Sequence, residues 1–527
     1  MQHPHLSPSS RWIPRGSIGA SLLSLAALGH CAPTPALPPN SATALTGGDR
    51  PAGDAQALQR QPNILFVFCD DLGSGDLGCT GSERIRTPTI DSLASEGMRF
   101  TQAYSSACVC APSRCSILTG LSGAHAQIRD NGELPDGGQG RHGGQRAIEA
   151  GTMTLARGLQ SAGYRTACFG KWGLGGVTQP EGHPLDQGFD RFYGYLCQRH
   201  AHGYYPSYLE SDRSQVPIDQ GAEGRAHYSG DLIADQAVSW IDGEDSGDGE
   251  DSGDAEGAPW FLYYATTVPH LALQVPDDSL SEYTATYASL GLEDLPYTGG
   301  KGYKPHAHPR AAYAAMVTRL DRDVGRLLGA ANANAHHRET IVVFTSDNGG
   351  TFDLGGFDPE FFQTNRGLRG AKTQLYEGGI RVPLIVRWPG VARAGSTCDV
   401  PVIGYDLFPT LLNAGGVAPP ASDGFDLRPI IQACDGSARP TEFVWEHPAG
   451  KGWRAARIGD WKCVVLRAKD PEKLKMELFD LAADPAESRD VADAHPEVVE
   501  RFVALFNQRT PAIEPSWDFP PLAEPAK

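Results

Sequence analysis

The run Pro62-Asn-Ile-Leu-Phe-Val-Phe-Cys69 is almost wholly apolar and stops at Asp70-Asp71-Leu72-Gly73. A short apolar run without alternation is a strand buried on both faces, and the acidic pair is the start of the loop it feeds. Similar runs recur at 260–265, 340–345 and 383–387, and the second of these leads directly to Asp347-Asn348. Between them, 313–328 carries apolar residues at 317, 320, 324, 327 and 328, which is helical spacing. Residues 89–100 read as a helix followed by another strand. Strands alternating with helices predict an α/β fold whose sheet is covered by helices on both faces. In such sheets ligand-binding groups gather beyond the carboxyl ends of the strands. Asp70-Asp71 and Asp347-Asn348 are both expected there.

The chain has 527 residues, enough for a large core with an appendage. Its net charge is −18, which disfavours nucleic acid as a partner. Part of that charge is local: Glu244-Asp-Ser-Gly-Asp248 repeats as Glu250-Asp-Ser-Gly-Asp254, and 242–256 holds eight acidic residues and no basic one. This is expected to be a solvated inserted loop. At the N-terminus, Arg11 and Arg15 precede an eleven-residue apolar stretch at 18–28. That is a secretory pattern, too short for a mature membrane span. Leu28-Gly-His-Cys31 resembles a bacterial lipoprotein signal, although His30 is larger than that pattern accepts. The expectation is an exported protein, periplasmic or secreted, with Cys31 as an alternative lipid anchor. The division is a signal at 1–31, a linker at 32–60, a catalytic domain at 61–435 and a C-terminal subdomain at 436–520. In the last, 454–465 and 477–481 read as strands of a smaller sheet and 485–506 as a loop and final helix.

The eleven cysteines are too sparse for a disulfide scaffold. Three cluster at Cys108, Cys110 and Cys115. If a helix starts near Pro112, Cys110 lies at its positive end, which lowers a thiol pKa and favours anions. From spacing alone a structural and a reactive cysteine fit equally. The surrounding Cys110-Ala-Pro-Ser-Arg-Cys-Ser-Ile-Leu-Thr-Gly120 resembles the signature of the type I sulfatases, in the alkaline-phosphatase-like superfamily. Elements at 87–100, 163–172, Asp347-Asn-Gly-Gly350, Tyr376-Glu-Gly-Gly379 and the C-terminal Gly-Asp-Trp-Lys extend the resemblance from Pro62 to about Val499. It implies a large mixed sheet and a C-terminal α+β subdomain on a short antiparallel sheet.

The resemblance implies that a maturation enzyme oxidises Cys110 to Cα-formylglycine. An aldehyde hydrate has two hydroxyls on one carbon: one attacks sulfur, and the other expels sulfate by re-forming the carbonyl. A cation would polarise these oxygens. Asp70, Asp71, Asp347 and Asn348, with residue 110, make a hard oxygen site suited to calcium, less to magnesium, and not to zinc. By the same carry-over, Arg114 stabilises the modified residue, Lys171 and Lys372 hold the sulfuryl oxygens, and His270 contacts sulfate and protonates the leaving oxygen. One position departs. Many sulfatases read Gly-Lys-Trp-His, with the histidine aiding sulfate release; here it is Gly173. His125, His200 and His202 are the candidate replacements, the last two in a Tyr-rich segment that also suits a sugar ring. The leading reading is an arylsulfatase-like hydrolase of sulfate monoesters on a carbohydrate. The alternatives are a phosphonate monoester or phosphodiester hydrolase, and a non-catalytic binder of sulfated glycans.

Overall fold

The computed structural model describes residues 60–133, 144–243, 257–292, 294–335, 338–508, 511–512 and 514–523. The expected signal with Cys31, the linker up to residue 59 and residues 244–256 of the acidic insertion lie outside the described residues. Sixteen strands are described: β1 (Asn63–Cys69), β2 (Met98–Phe100), β3 (Ala103–Tyr104), β4 (Arg165–Lys171), β5 (Arg191–Tyr195), β6 (Tyr208–Ser211), β7 (Ser214–Pro217), β8 (Trp260–Ala265), β9 (Thr340–Ser346), β10 (Leu384–Arg387), β11 (Ser396–Cys398), β12 (Val402–Ile403), β13 (Glu442–His447), β14 (Trp453–Ile458), β15 (Trp461–Leu466) and β16 (Lys475–Asp480).

Ten of them form one mixed sheet in the order β11-β2-β10-β9-β1-β8-β4-β5-β6-β7. The first apolar run is its centre. β1 pairs in parallel with β8 and β9, Ile64 lying beside Phe261 and Ile341. Every β1 residue is buried because both faces are covered. Leu65, Val67 and Cys69 pack on one face with the helices Pro88–Glu96, Ser229–Ile241 and Pro309–Ala333. Ile64, Phe66 and Phe68 pack on the other with Cys110–Thr119, Leu155–Ser161 and Leu407–Ala414. In the long helix Val317, Leu320, Val324 and Leu327 are buried, and Leu328 is half-buried against them. The periodicity marked the buried stripe correctly.

β13 to β16 form a separate antiparallel sheet in sequence order, with the helix Pro496–Phe506 packed on it through Phe502 and Phe506. The expected strand at 454–465 is two strands, because the Gly459-Asp460 turn reverses the chain. Cys398 and Cys434 form a disulfide with 5.5 Å between their Cα atoms. Cys108, Cys110 and Cys115 are buried free thiols. No described helix is long and apolar enough to cross a membrane.

Candidate active site

Parallel strands bring Asp70-Asp71 and Asp347-Asn348 together. Ser346, at the end of β9, lies beside Cys69, at the end of β1, and the Asp347 amide donates to the Cys69 carbonyl at 3.0 Å. Asp71 then turns into the left-handed region, at φ 65°, and its amide donates to Asp347 Oδ1 at 3.1 Å. Lys171 is the last residue of β4, and its Nζ donates to Asp70 Oδ2 at 2.5 Å. His270 lies in the loop after β8, with Nε2 3.7 Å from Asp71 Oδ2. Lys372 enters on a loop tied down by its own amide to the Gly350 carbonyl and by the Thr373 amide to that of Cys108. Its Nζ donates to Asp71 Oδ2 at 2.9 Å.

The helix carrying the cysteine motif begins at Cys110 itself, not near Pro112, and all ten of its residues are buried. Cys110 Sγ lies 3.3 Å from Asp70 Oδ1. One turn on, Arg114 donates to the Lys171 carbonyl at 2.7 Å and to Asp347 Oδ2 at 3.1 Å. The expected lowering of the Cys110 pKa is corrected by the structure. Burial and the Asp347 and Asp70 carboxylates push the thiol above its ordinary value, outweighing the helix end. An unmodified Cys110 is therefore a protonated thiol and a poor nucleophile.

Three carboxylates, of Asp70, Asp71 and Asp347, face three cations, of Arg114, Lys171 and Lys372. Burial opposes ionisation of Asp70, but Lys171, His270, Arg114 and Lys372 together hold it well below the ordinary carboxylate range. Asp347 is driven up by burial and the Asp70 charge, against Arg114. Burial and Lys372 hold His270 well below its ordinary value, against Asp70. Its Nδ1 faces the Leu271 carbonyl, which makes Nδ1 the protonated nitrogen and leaves the Nε2 lone pair facing the site. Ligand atoms of Asp70, Asp71, Cys110 and His270 all lie within 4.8 Å of one another. The Asn348 amide group donates to Asp71 Oδ1 at 2.7 Å and to the Gly349 carbonyl, while its buried Oδ1 has no hydrogen-bond partner. Two converging carboxylates, with a buried amide oxygen left unpartnered on a side chain that touches one of them, fit a hard divalent cation; Asp347 lies outside the converging group, which contains His270 instead.

The three candidate histidines separate. His125 is 2.8 Å from Asp423 and makes no contact with the carboxylate cluster. His200 packs between Tyr195 and Tyr208, with ring centroids at 4.9 and 4.4 Å, and lines a different cavity. His202 stacks on His270 with centroids 4.5 Å apart. None of them fills the space opposite Gly173. That space is taken by Gln198: a Cβ on Gly173 would lie 2.6 Å from Gln198 Cγ. Sequence reasoning missed Gln198 because it is twenty-five positions away and in no motif.

A mixed sheet with helices on both faces and this site at its carboxyl edge is the alkaline-phosphatase-like architecture. The solved structure of Ps i-CgsB in complex with k-i-k-neocarrahexaose superimposes with a TM-score of 0.69 at 26% identity, covering 88% of this chain and 95% of that one. The phosphonate monoester hydrolase of Agrobacterium radiobacter shares the fold, with a TM-score of 0.56 at 19% identity, covering 85% of this chain and 96% of that one. The sulfatase family model matches residues 62–417, and that of the N-sulphoglucosamine sulphohydrolase C-terminal region matches 370–509. Human arylsulfatase A is 30% identical over 85% of this chain and 88% of its own length. Mouse steryl-sulfatase is 30% identical over 90% and 85%. The chain belongs to the type I sulfatase family, whose members are enzymes that hydrolyse sulfate esters.

Proposed function

We propose that the protein is an exported sulfuric ester hydrolase that cleaves sulfate monoesters on a sulfated carbohydrate, with residue 110 matured to formylglycine and calcium as its cation. The observation that carries this reading is the contact of Cys110 with Asp70, itself bonded to Lys171, among the carboxylates of Asp71 and Asp347. When present, the aldehyde hydrate supplies the nucleophilic hydroxyl and a second one for release of sulfate. Asp70, Asp71, Asp347 and Asn348 would hold the cation, which would supply Lewis acidity and, with Arg114, Lys171 and Lys372, a net positive field for an anionic ester. Lys171 and Lys372 bind the sulfuryl oxygens, where negative charge is retained through the reaction. Arg114 fixes Asp347 and the end of β4 together. His270 is neutral in the free enzyme and must gain a proton at Nε2 before it can donate one to the leaving oxygen. An arriving anion opposes the charges of Lys372 and Lys171 and favours that gain. The carbohydrate assignment is supported by Ps i-CgsB, whose structure is a complex with k-i-k-neocarrahexaose. Export is supported by the N-terminal pattern and by the disulfide, a bond that persists in oxidising compartments.

The test is mass spectrometry of the peptide containing Cys110, from protein co-expressed with a maturation enzyme, beside rates on paired sulfate and phosphate esters. An aldehyde at 110 with preference for the sulfate is expected. A free thiol in fully active enzyme would sink the mechanism, and preference for the phosphorus ester would sink the substrate class.

A further inference from the structure

A second cluster of cations lies on the same edge of the sheet and takes no part in the site above. β2 is antiparallel to β10, which is antiparallel to β9, so β2 points the same way as β1. Just past its carboxyl end is a cavity of about 350 Å³, lined by Arg99, Arg366, Arg381, Ser74, Thr80 and Thr101 together with apolar residues. No carboxylate lines it among the described residues. Arg381 is partly engaged: it donates to the Thr101 carbonyl at 2.7 Å and lies 3.3 Å from Glu377. For Arg99 and Arg366 the structure shows no ion-pair partner among the described residues.

Arg366 is held in place by its backbone. Its amide donates to the Gln363 carbonyl at 2.7 Å, and its side-chain stem lies against Gly75, where a Cβ would be 3.0 Å from Arg366 Cγ. It adopts φ 53°, a left-handed conformation that glycine or asparagine would accept at lower cost. Desolvation first, and then the nearby Arg381 and Arg99, lower its hold on its proton. The loop that presents Arg366 also delivers Lys372. Ser74 follows Asp71 by three residues. In a chain of net charge −18, a pocket of three guanidinium groups is a local reversal of field. Guanidinium forks match the oxygens of a sulfate or carboxylate in bidentate geometry.

We propose that this pocket is a second anion subsite, which takes a sulfate group on the same glycan chain as the ester being cleaved, so that the substrate is a multiply sulfated oligosaccharide. The proposal rests on the sulfatase reading for the word substrate, but not for the binding itself.

The test measures binding of a heparin-derived hexasaccharide to the full chain carrying Cys110→Ala, which prevents turnover. Arg99→Gln/Arg366→Gln should raise its Kd about tenfold, and Arg99→Lys/Arg366→Lys less. In the otherwise wild-type enzyme, the glutamine pair should leave kcat/KM for 4-nitrophenyl sulfate within about twofold of the parent. Arg366→Gln alone, at an exposed position, reports the effect if the pair fails to fold. Unchanged hexasaccharide affinity overturns the proposal, as does an equal loss for neutral isomaltohexaose. Tighter binding of hexagalacturonate than of the heparin fragment overturns the sulfate assignment in favour of carboxylate. If the matured enzyme hydrolyses no sulfate ester while the tenfold loss is found, the sulfatase reading fails and the anion subsite stands.

Discussion

At the scale of single residues, the site is a balance of buried charges, and substitutions in it should divide by which charge they strand. Lys171→Met leaves Asp70 buried without its nearest cation, which should cost ~3–5 kcal/mol in denaturant unfolding. Asp347→Asn removes one carboxylate from a crowded cluster, and Arg114 keeps Asp70 at 3.5 Å, so in calcium-free buffer it should cost less stability than Lys171→Met while removing most activity. Should both variants lose stability alike, the charge-balance account is wrong. Gly173 tests the departure from the usual motif. Its φ is 74°, and a Cβ would meet Gln198, so Gly173→Ala should destabilise by ~1–3 kcal/mol. Adding Gln198→Ala should recover only the steric part. Of the histidines, His202 shares a stack with His270. His202→Ala is expected to slow turnover, whereas His125→Ala is not. Near-normal turnover in both would remove them from the reaction.

Between elements, the small sheet is joined to the Lys372 loop by a buried ionic knot. Lys462 of β15 lies 2.9 Å from both Glu377 and Glu487, and the Glu377 amide donates to Glu487. Two carboxylates share one lysine. Glu377 keeps its charge, with Lys462 and Arg381 overcoming burial. Glu487 is pushed from 4.5 to about 7 by burial and the Glu377 charge, against Lys462. Its folded pKa is thus raised, so the folded state binds more protons than the unfolded state across that window. The corresponding stability is present at acid pH and is lost as pH rises through about 7. Glu487→Gln should therefore gain stability relative to the wild type between pH 5 and 8; a flat difference would refute the assignment. The disulfide is a second tie, joining β11 to the residue after the helix Arg428–Ala433 across 36 positions. Cys398→Ser should cost ~3–4 kcal/mol on the loop-closure account, read as a fall in Tm in non-reducing buffer.

For the molecule as a whole, cation binding and folding should be linked, because three carboxylates converge only when β1 and β9 are paired. Chelation by EGTA should lower both Tm and activity, and added calcium should restore both. A Tm insensitive to chelation would count against a resident cation. How much of this was legible follows from range. Sequence alone determined the central strands and the long helix with its buried stripe, because each rests on local chemistry: an unbroken apolar run or a 3.6-residue period. Asp70, Asp71 and Asp347 stood out as loop positions after apolar runs, whereas the parts of Cys110, Lys171, His270 and Lys372 were legible only through the resemblance to the sulfatases, because an isolated lysine, histidine or cysteine has no local signature of a site. β13 was not legible, because buried Glu446 ion-pairs with Arg129 and Arg454 and breaks the apolar pattern. The Cys110 thiol was misjudged from its helix position, since the carboxylates that dominate it come from other strands. Gln198 filling the space beside Gly173, the Cys398–Cys434 pairing, the Lys462 knot and the arginine pocket were decided only by the tertiary structure. Each depends on which distant side chains share a desolvated volume, and burial there magnifies interactions that sequence spacing does not encode.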